Sequence, residues 1–230
     1  MAVIPVITID GPSAVGKGTA ARLVAAELSF HLLDSGALYR LLALKTMRLG
    51  IDQVAQNAAR IGALAEQLDI AFVAEQSATR ILLEGEDVSA EIRMQAVGAR
   101  ASEVAALADV RAALLDLQRA FRQSPGLVAD GRDMGTVVFP DAAAKLFIDA
   151  SARVRAERRH KELSAKGKNV NIASLLREIN ERDERDRNRK VAPLKPASDA
   201  LLINTDHLGI SEVKAKIMDY LHQCLPEQYF

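Results

Sequence analysis

Cysteine is nearly absent: Cys224 is the one thiol in 230 residues. That excludes an intrachain disulfide framework and any zinc site built from several cysteines, and it suits a reducing cytosol. Charge of one sign is also missing, because 30 Lys and Arg stand against 30 Asp and Glu. Without a global field the chain has no general means of recruiting nucleic acid or an anionic membrane, so any cationic site must be local. Aromatics reach only 4%, too few for the stacking platforms of a single-strand binder. No apolar run approaches membrane-spanning length, and the amino terminus lacks the basic, apolar and small-residue order of a signal peptide. The expected location is the cytoplasm, without membrane or nucleic-acid partners. With 49% hydrophobic residues and a mean hydropathy of +0.03, the chain has ample material for one packed domain spanning 1–230.

The most informative segment is Gly11-Pro12-Ser13-Ala14-Val15-Gly16-Lys17-Gly18-Thr19. Before it, Val3, Ile4, Val6, Ile7 and Ile9 read as a buried parallel strand; after it, Ala20 through Leu28 is rich in helix formers. A glycine-rich loop between strand and helix can turn backbone N–H groups toward a polyphosphate, and the helix N-terminus adds its partial positive charge. Lys17 supplies a mobile cation for the terminal phosphates of a nucleoside triphosphate. Gly18 stands where the general motif has a hydroxyl, and Thr19 follows one place later. A direct hydroxyl ligand to Mg²⁺ is therefore in doubt, which leaves water and phosphate oxygens as the main ligands. No protein metal ligand is assigned.

Further apolar runs lie at His31–Asp34, Gly126–Asp130, Lys145–Asp149 and Ala200–Asn204. With the first strand they predict an α/β fold whose parallel sheet has about five strands, covered by helices on both faces. Asp34, Asp130 and Asp149 end their runs at the carboxyl edge, where ligands of such sheets bind. Asp130 opens the dense polar cluster Asp130-Gly131-Arg132-Asp133, which points to function rather than capping alone.

Two stretches depart from this pattern. About 53–91 reads as a small insertion: a helix from Val54 to Leu68, then antiparallel strands at Ile70–Val73 and Thr79–Glu84 separated by Ser77 and Ala78, with a turn at Glu84-Gly85. One helical segment bearing Val97, Val104, Leu107, Val110, Leu114 and Leu117 leads back toward the core. On it, Ser102 and Arg111 read by themselves as solvated helix residues. About 152–190 reads as a helical lid. Its second half, Asn180 to Lys190, has no apolar residue, so core packing cannot hold it. Arg182, Asp186 and Arg189, spaced four and three apart, share a helical face, and Arg153, Arg155, Arg158 and Arg159 form a second cationic group. Gly167 would let the two arms close as a hairpin over the phosphate loop.

Four segments together resemble the bacterial cytidylate kinases of the nucleoside monophosphate kinase group. They are Ile9 through Thr19, Leu33-Asp34-Ser35-Gly36-Ala37-Leu38-Tyr39-Arg40, Asp130 through Pro140, and Arg182 through Arg189. The lysine-glycine-threonine ending of the loop is the form this group uses. The resemblance implies a P-loop kinase that phosphorylates CMP and dCMP with ATP and Mg²⁺, built from a core, an acceptor-binding insertion and a lid; a monomer is expected because no exposed apolar seam argues against one. It implies that Gly11 to Thr19 hold ATP, with Lys17 and Arg132 catalytic. Ser35, Arg111, Asp133 and Arg189 would meet the acceptor base, Ser102, Arg182 and Asp186 the sugar, and Arg40 and Arg132 the phosphate. The nearest rival is a P-loop kinase for another small acceptor, such as UMP or shikimate. A GTPase switch would need an Asn-Lys-x-Asp element, which the sequence lacks.

Overall fold

The computed structural model describes residues 4–74, 79–165, 167 and 169–230. In chain order the first elements are β1 (Val6–Asp10), α1 (Lys17–Glu27), β2 (His31–Asp34), α2 (Ser35–Arg48), α3 (Ala58–Glu66), β3 (Ile70–Ala74), β4 (Thr79–Leu83) and β5 (Glu86–Asp87). They continue with α4 (Gln95–Val104), α5 (Ala108–Arg119), β6 (Leu127–Gly131), β7 (Ala144–Asp149), α6 (Ala152–Ala165), α7 (Ile172–Asn188), β8 (Leu201–Asn204) and α8 (Ile210–Cys224). Two compact units result, one of residues 1–34 with 118–230 and the other of residues 35–117.

The first unit holds a five-stranded sheet in the order β2-β6-β1-β7-β8, parallel at every pairing. The fold is thus α/β with a parallel sheet, as the spacing of apolar runs predicts. β1 begins at Val6, later than expected; Ile4 and Pro5 precede it, and Val3 lies outside the described residues. Pro5 has no N–H for the ladder, although its carbonyl accepts from Leu127 N at 3.0 Å. Along β1 the side chains alternate between faces. Ile7 and Ile9 pack with Ala20, Ala21 and Val24 of α1 and with Val213, Ile217 and Leu221 of α8. Thr8 and Asp10, equally buried, therefore point to the opposite face.

α6 and α7 pack against each other around Ala156, Leu163, Leu175 and Ile179, with Gly167 at φ 72 between them. Asn171 caps α7, its side chain accepting from Ala173 N at 2.7 Å. Arg189 lies one residue beyond α7 with ψ 140, so only Arg182 and Asp186 of the expected three sit on the helix itself.

In the second unit, β3, β4 and β5 form an antiparallel sheet. Glu84 (φ 52) and Gly85 (φ 81) make the two-residue turn that joins β4 to β5, a geometry that needs positive φ at both positions. The two-residue β5 is too short to register as an apolar alternation. Ser77 and Ala78, read as the break between the longer strands, lie outside the described residues. The single helix expected across Val97 to Leu117 is two, α4 and α5. Arg111 explains how the break is tolerated: its guanidinium donates to the carbonyl of Ala105, just past the end of α4, at 3.3 Å.

Gly11 follows β1 with φ 152, and a Cβ there would stand 2.0 Å from the carbonyl oxygen of Ile148 in β7. Backbone of a central strand cannot retreat cheaply. Gly11→Ala is expected to cost about 3 kcal/mol or more, lowering the unfolding midpoint by roughly 6 to 12 °C. Calorimetry checks this; a midpoint within about 2 °C of the parent, a change of about 1 kcal/mol or less, contradicts the close approach.

Candidate active site

The connection from β1 to α1 emerges at the carboxyl edge of the sheet, where the strand ladder stops and backbone N–H groups are released. Ala14 (φ 59) and Gly16 (φ 94) take left-handed conformations that wrap the loop, and the Gly16 carbonyl starts the helix by accepting from Thr19 N and Ala20 N at 3.1 Å each. Ala14, Gly16 and Thr19 are exposed, whereas Lys17 is buried. Its Nζ donates to the carbonyl of Pro12 at 3.1 Å and lies 3.7 Å from Asp130 Oδ1. Burial lowers the Lys17 ammonium to about 8, Arg132 acts in the same direction, and Asp130 opposes them. Burial likewise raises Asp130 to about 6, against the pull of Lys17. A polyphosphate entering here meets a desolvated cation whose charged form it would favour.

Gly18 faces the same carboxylate: a Cβ would stand 3.0 Å from Asp130 Oδ2. This gives the departure from the general motif a physical reason, because a hydroxyl-bearing side chain would press on the anion that faces Lys17. Asp130 Oδ1 is buried and receives no hydrogen bond among the described residues.

Beyond β6 the chain turns through Arg132 and Asp133 into a single π-type turn, Met134–Val138. Arg132 Nε donates to Asp186 Oδ2 of α7 at 3.1 Å. Arg189 donates to Asp133 Oδ1 at 3.4 Å and also to the carbonyl of Ala192. Burial would raise the Asp186 carboxyl, but Arg132, Arg182 and Arg189 outweigh it and hold the group below its ordinary value. The fold thus brings Lys17, Asp130, Arg132, Asp133, Arg182, Asp186 and Arg189 to one edge of the first unit. The charge-rich half of α7 is held by buried ion pairs, which replace the apolar contacts it lacks.

The second cationic group is divided in the fold. Arg155 is 2% exposed; it donates to Asp183 Oδ1 of α7 at 3.0 Å, pairs with the other Asp183 oxygen, and donates to the carbonyls of Ala150 and Ser13 at 2.9 and 3.2 Å. Arg158 reaches the carbonyl of Val15 at 3.4 Å and Thr205 Oγ1 at 3.1 Å. Both therefore tie α6 to the phosphate loop. Arg153 and Arg159 instead pair on the surface with Glu157 and Glu162.

Within the second unit, Ser35 opens α2 and is buried. Arg40 donates to the carbonyl of Ile92 at 2.7 Å, and its guanidinium lies where a Cβ on Gly98 would stand 3.0 Å away. Arg111 sits 5.6 Å from the centre of the Tyr39 ring. Ser102 and Arg111 are 5% and 7% exposed, so reading them as solvated was wrong. The three- and four-residue spacing places both toward the packed side of their helices, which their polar chemistry conceals in sequence.

Sequence reasoning overlooked Asp10 and the Arg155–Asp183 pair. Asp10 is 4% exposed and accepts from Met134 N at 2.9 Å and Gly135 N at 2.8 Å. Burial raises its carboxyl to about 7; the two N–H groups lower it, and Asp133 and Asp130 raise it further. The available signal was an acidic residue ending an otherwise apolar strand. Asp183, by contrast, is one of several alternating charges with a partner 28 positions upstream, and nothing local distinguishes it.

The cytidylate kinase family model matches residues 7–223. The cytidylate kinase of Vibrio parahaemolyticus serotype O3:K6 (strain RIMD 2210633) is 55% identical over 223 residues, covering 97% of this chain and 98% of that protein. The cytidylate kinase of Photobacterium profundum is 54% identical, with 97% of each chain covered. That of Serratia proteamaculans (strain 568) is 53% identical, covering 99% of each. A phosphate loop ending in a buried lysine, an arginine-rich edge beside it and full-length similarity of this degree lead to one conclusion: the chain belongs to the cytidylate kinase family.

Proposed function

We propose that this enzyme transfers the terminal phosphoryl group of ATP to CMP and dCMP, yielding CDP and dCDP. The main support is the desolvated edge where Lys17 shares its surroundings with Arg132 and Arg182. Phosphoryl transfer needs positioning and charge neutralisation more than a strong base, because an acceptor phosphate is already anionic at neutral pH. Residues Gly11 to Thr19 bind ATP, Lys17 neutralises its transferring phosphate, and Arg132 serves both acceptor phosphate and transfer. By resemblance, Arg40 joins Arg132 on the acceptor phosphate. Ser102, Arg182 and Asp186 take the sugar, and Ser35, Arg111, Asp133 and Arg189 take the base. The acceptor-binding insertion is about 53–91, α6 and α7 act as the lid, and the chain works as a cytoplasmic monomer.

Mg²⁺ fits the residues present. Among the described residues no group of three or more His, Cys, Asp or Glu could hold a metal, so the ion would keep waters and phosphate oxygens as ligands. Asp130, with its Oδ1 lacking a donor, is the carboxylate that would hold it, directly or through water. When bound, the ion supplies further charge neutralisation on the donor phosphates.

Asp133 accounts for base choice. Cytosine presents an exocyclic amine that a carboxylate accepts, whereas uracil presents an oxygen there and leaves two acceptors opposed. Asp133→Asn is expected to lower the CMP specificity constant and narrow its advantage over UMP by roughly tenfold, the scale of one misplaced hydrogen bond. An unchanged ratio in a folded variant would remove Asp133 from base reading. The reaction itself is tested by coupled ADP release with CMP, dCMP, UMP, AMP, GMP and shikimate as acceptors. Turnover with CMP and dCMP well above the others is expected; preference for UMP or shikimate would overturn the assignment.

A further inference from the structure

We propose that Asp10 is a positioning residue that sets the direction of Arg132 and Asp133 through the backbone of the turn behind them. The proposal rests on the CMP kinase reading above. Asp10 is the last residue of β1, registered against Gly131 of β6 and Phe147 of β7, so its backbone is held on both sides. Its buried carboxylate accepts the N–H groups of Met134 and Gly135, one on each oxygen, at 2.9 and 2.8 Å. Those are the two residues immediately after Arg132-Asp133. A carboxylate bridging two successive N–H groups restrains the peptide planes there, and with them the exit directions of the preceding side chains.

The rest of the turn is built around this contact. Asp133 has φ −145 and ψ 23, outside the regular regions, as it enters the π-type turn. A Cβ on Gly135 would stand 2.8 Å from Thr8 Oγ1, and one on Gly131 would stand 2.7 Å from the Met134 side chain. The turn therefore lies directly on the Thr8 and Asp10 face of β1. Asp133 Oδ1 then accepts from Arg189, and Arg132 donates to Asp186, so a rotation of the turn would misdirect both ion pairs at once. An amide or hydroxyl at position 10 offers a single oxygen, whereas the Asp10 carboxyl gives each of the two N–H groups an oxygen of its own.

The test is Asp10→Asn, whose amide nitrogen turns a donor toward one of the two N–H groups. With wild-type enzyme active on CMP, the variant is expected to show a CMP KM raised at least tenfold and a reduced CMP-to-UMP ratio of specificity constants. ADP affinity, measured by calorimetry without acceptor, should stay within about threefold, since the phosphate loop's own bonds are untouched. In an Asp133→Asn background the same substitution should change the base ratio little, because both act through one contact. Asp10→Ser, which keeps one acceptor in a smaller side chain, should give the same split. An unchanged CMP KM, equal loss of donor and acceptor affinity, additive effects with Asp133→Asn, or failure of both Asp10 variants to fold would overturn the proposal and leave Asp10 with a structural role. Inactivity of the wild-type enzyme toward CMP would instead strike the underlying reading.

Discussion

Lys17→Met is expected to lose about 10²- to 10³-fold or more in turnover, the scale of removing one preorganised charge from a transferring group. Three features concentrate the effect in the chemical step. Lys17 sits at the first position of α1, directly after the loop proposed to hold ATP. Its ammonium is buried, so the field it exerts is poorly screened. Its contact with Asp130 is 3.7 Å, too long for a hydrogen bond, so the ammonium remains available to a phosphate. Methionine keeps the length and apolar stem while deleting the charge. Asp130, already raised to about 6 by burial, can accommodate loss of its partner by taking up a proton, which limits damage to the fold. Steady-state rates at saturating ATP and CMP measure the loss, and CMP binding by calorimetry should stay within about threefold. Near-normal turnover would remove Lys17 from the chemistry, whereas a parallel loss of CMP affinity would indicate a damaged fold.

Asp183→Ala is expected to destabilise the protein by about 3–5 kcal/mol, since it leaves the Arg155 guanidinium buried without its counter-ion. The midpoint of unfolding should fall by roughly 6 to 20 °C for a chain of this size. Glu181→Ala, two residues earlier on the exposed side of α7, should stay within about 0.5 kcal/mol. Replacing both partners, as Arg155→Met with Asp183→Leu, should recover much of the loss, because two apolar side chains need no desolvated charge. Recovery should be incomplete: Arg155 also serves the carbonyls of Ala150 and Ser13, which the double variant leaves without that donor. Differential scanning calorimetry separates these cases. A single variant as stable as the parent would mean that α7 is held by something other than this pair.

The three interior strands β1, β6 and β7 were legible because strands buried on both faces require short continuous apolar runs, and the half-buried edge strands β2 and β8 still carry short apolar runs that end in a polar residue. Gly11 to Thr19 was legible for the same local reason, since strand, glycine loop and helix are consecutive in the chain. Where β1 begins depended on one missing N–H at Pro5, and the division of α4 from α5 frees the Ala105 carbonyl, which accepts from the Arg111 side chain. The π-type turn after Asp133 could not be read at all, because it is stabilised by a carboxylate more than a hundred positions earlier in the chain.

Local chemistry and periodicity by themselves determined the α/β class and the strand, glycine loop and helix of the phosphate loop, whereas the roles proposed for single arginines and aspartates came from the resemblance. Tertiary structure alone decided which of those charges do which work. Arg155 and Arg153 are chemically identical and two residues apart, yet one is buried against Asp183 and the other pairs on the surface with Glu157. Asp10 is the last residue of β1 and Asp130 the next-to-last of β6, yet one holds a backbone turn and the other faces Lys17. The reason is that the function of a charge depends on its desolvation and its nearest partner, and both are set by contacts between segments distant in the chain.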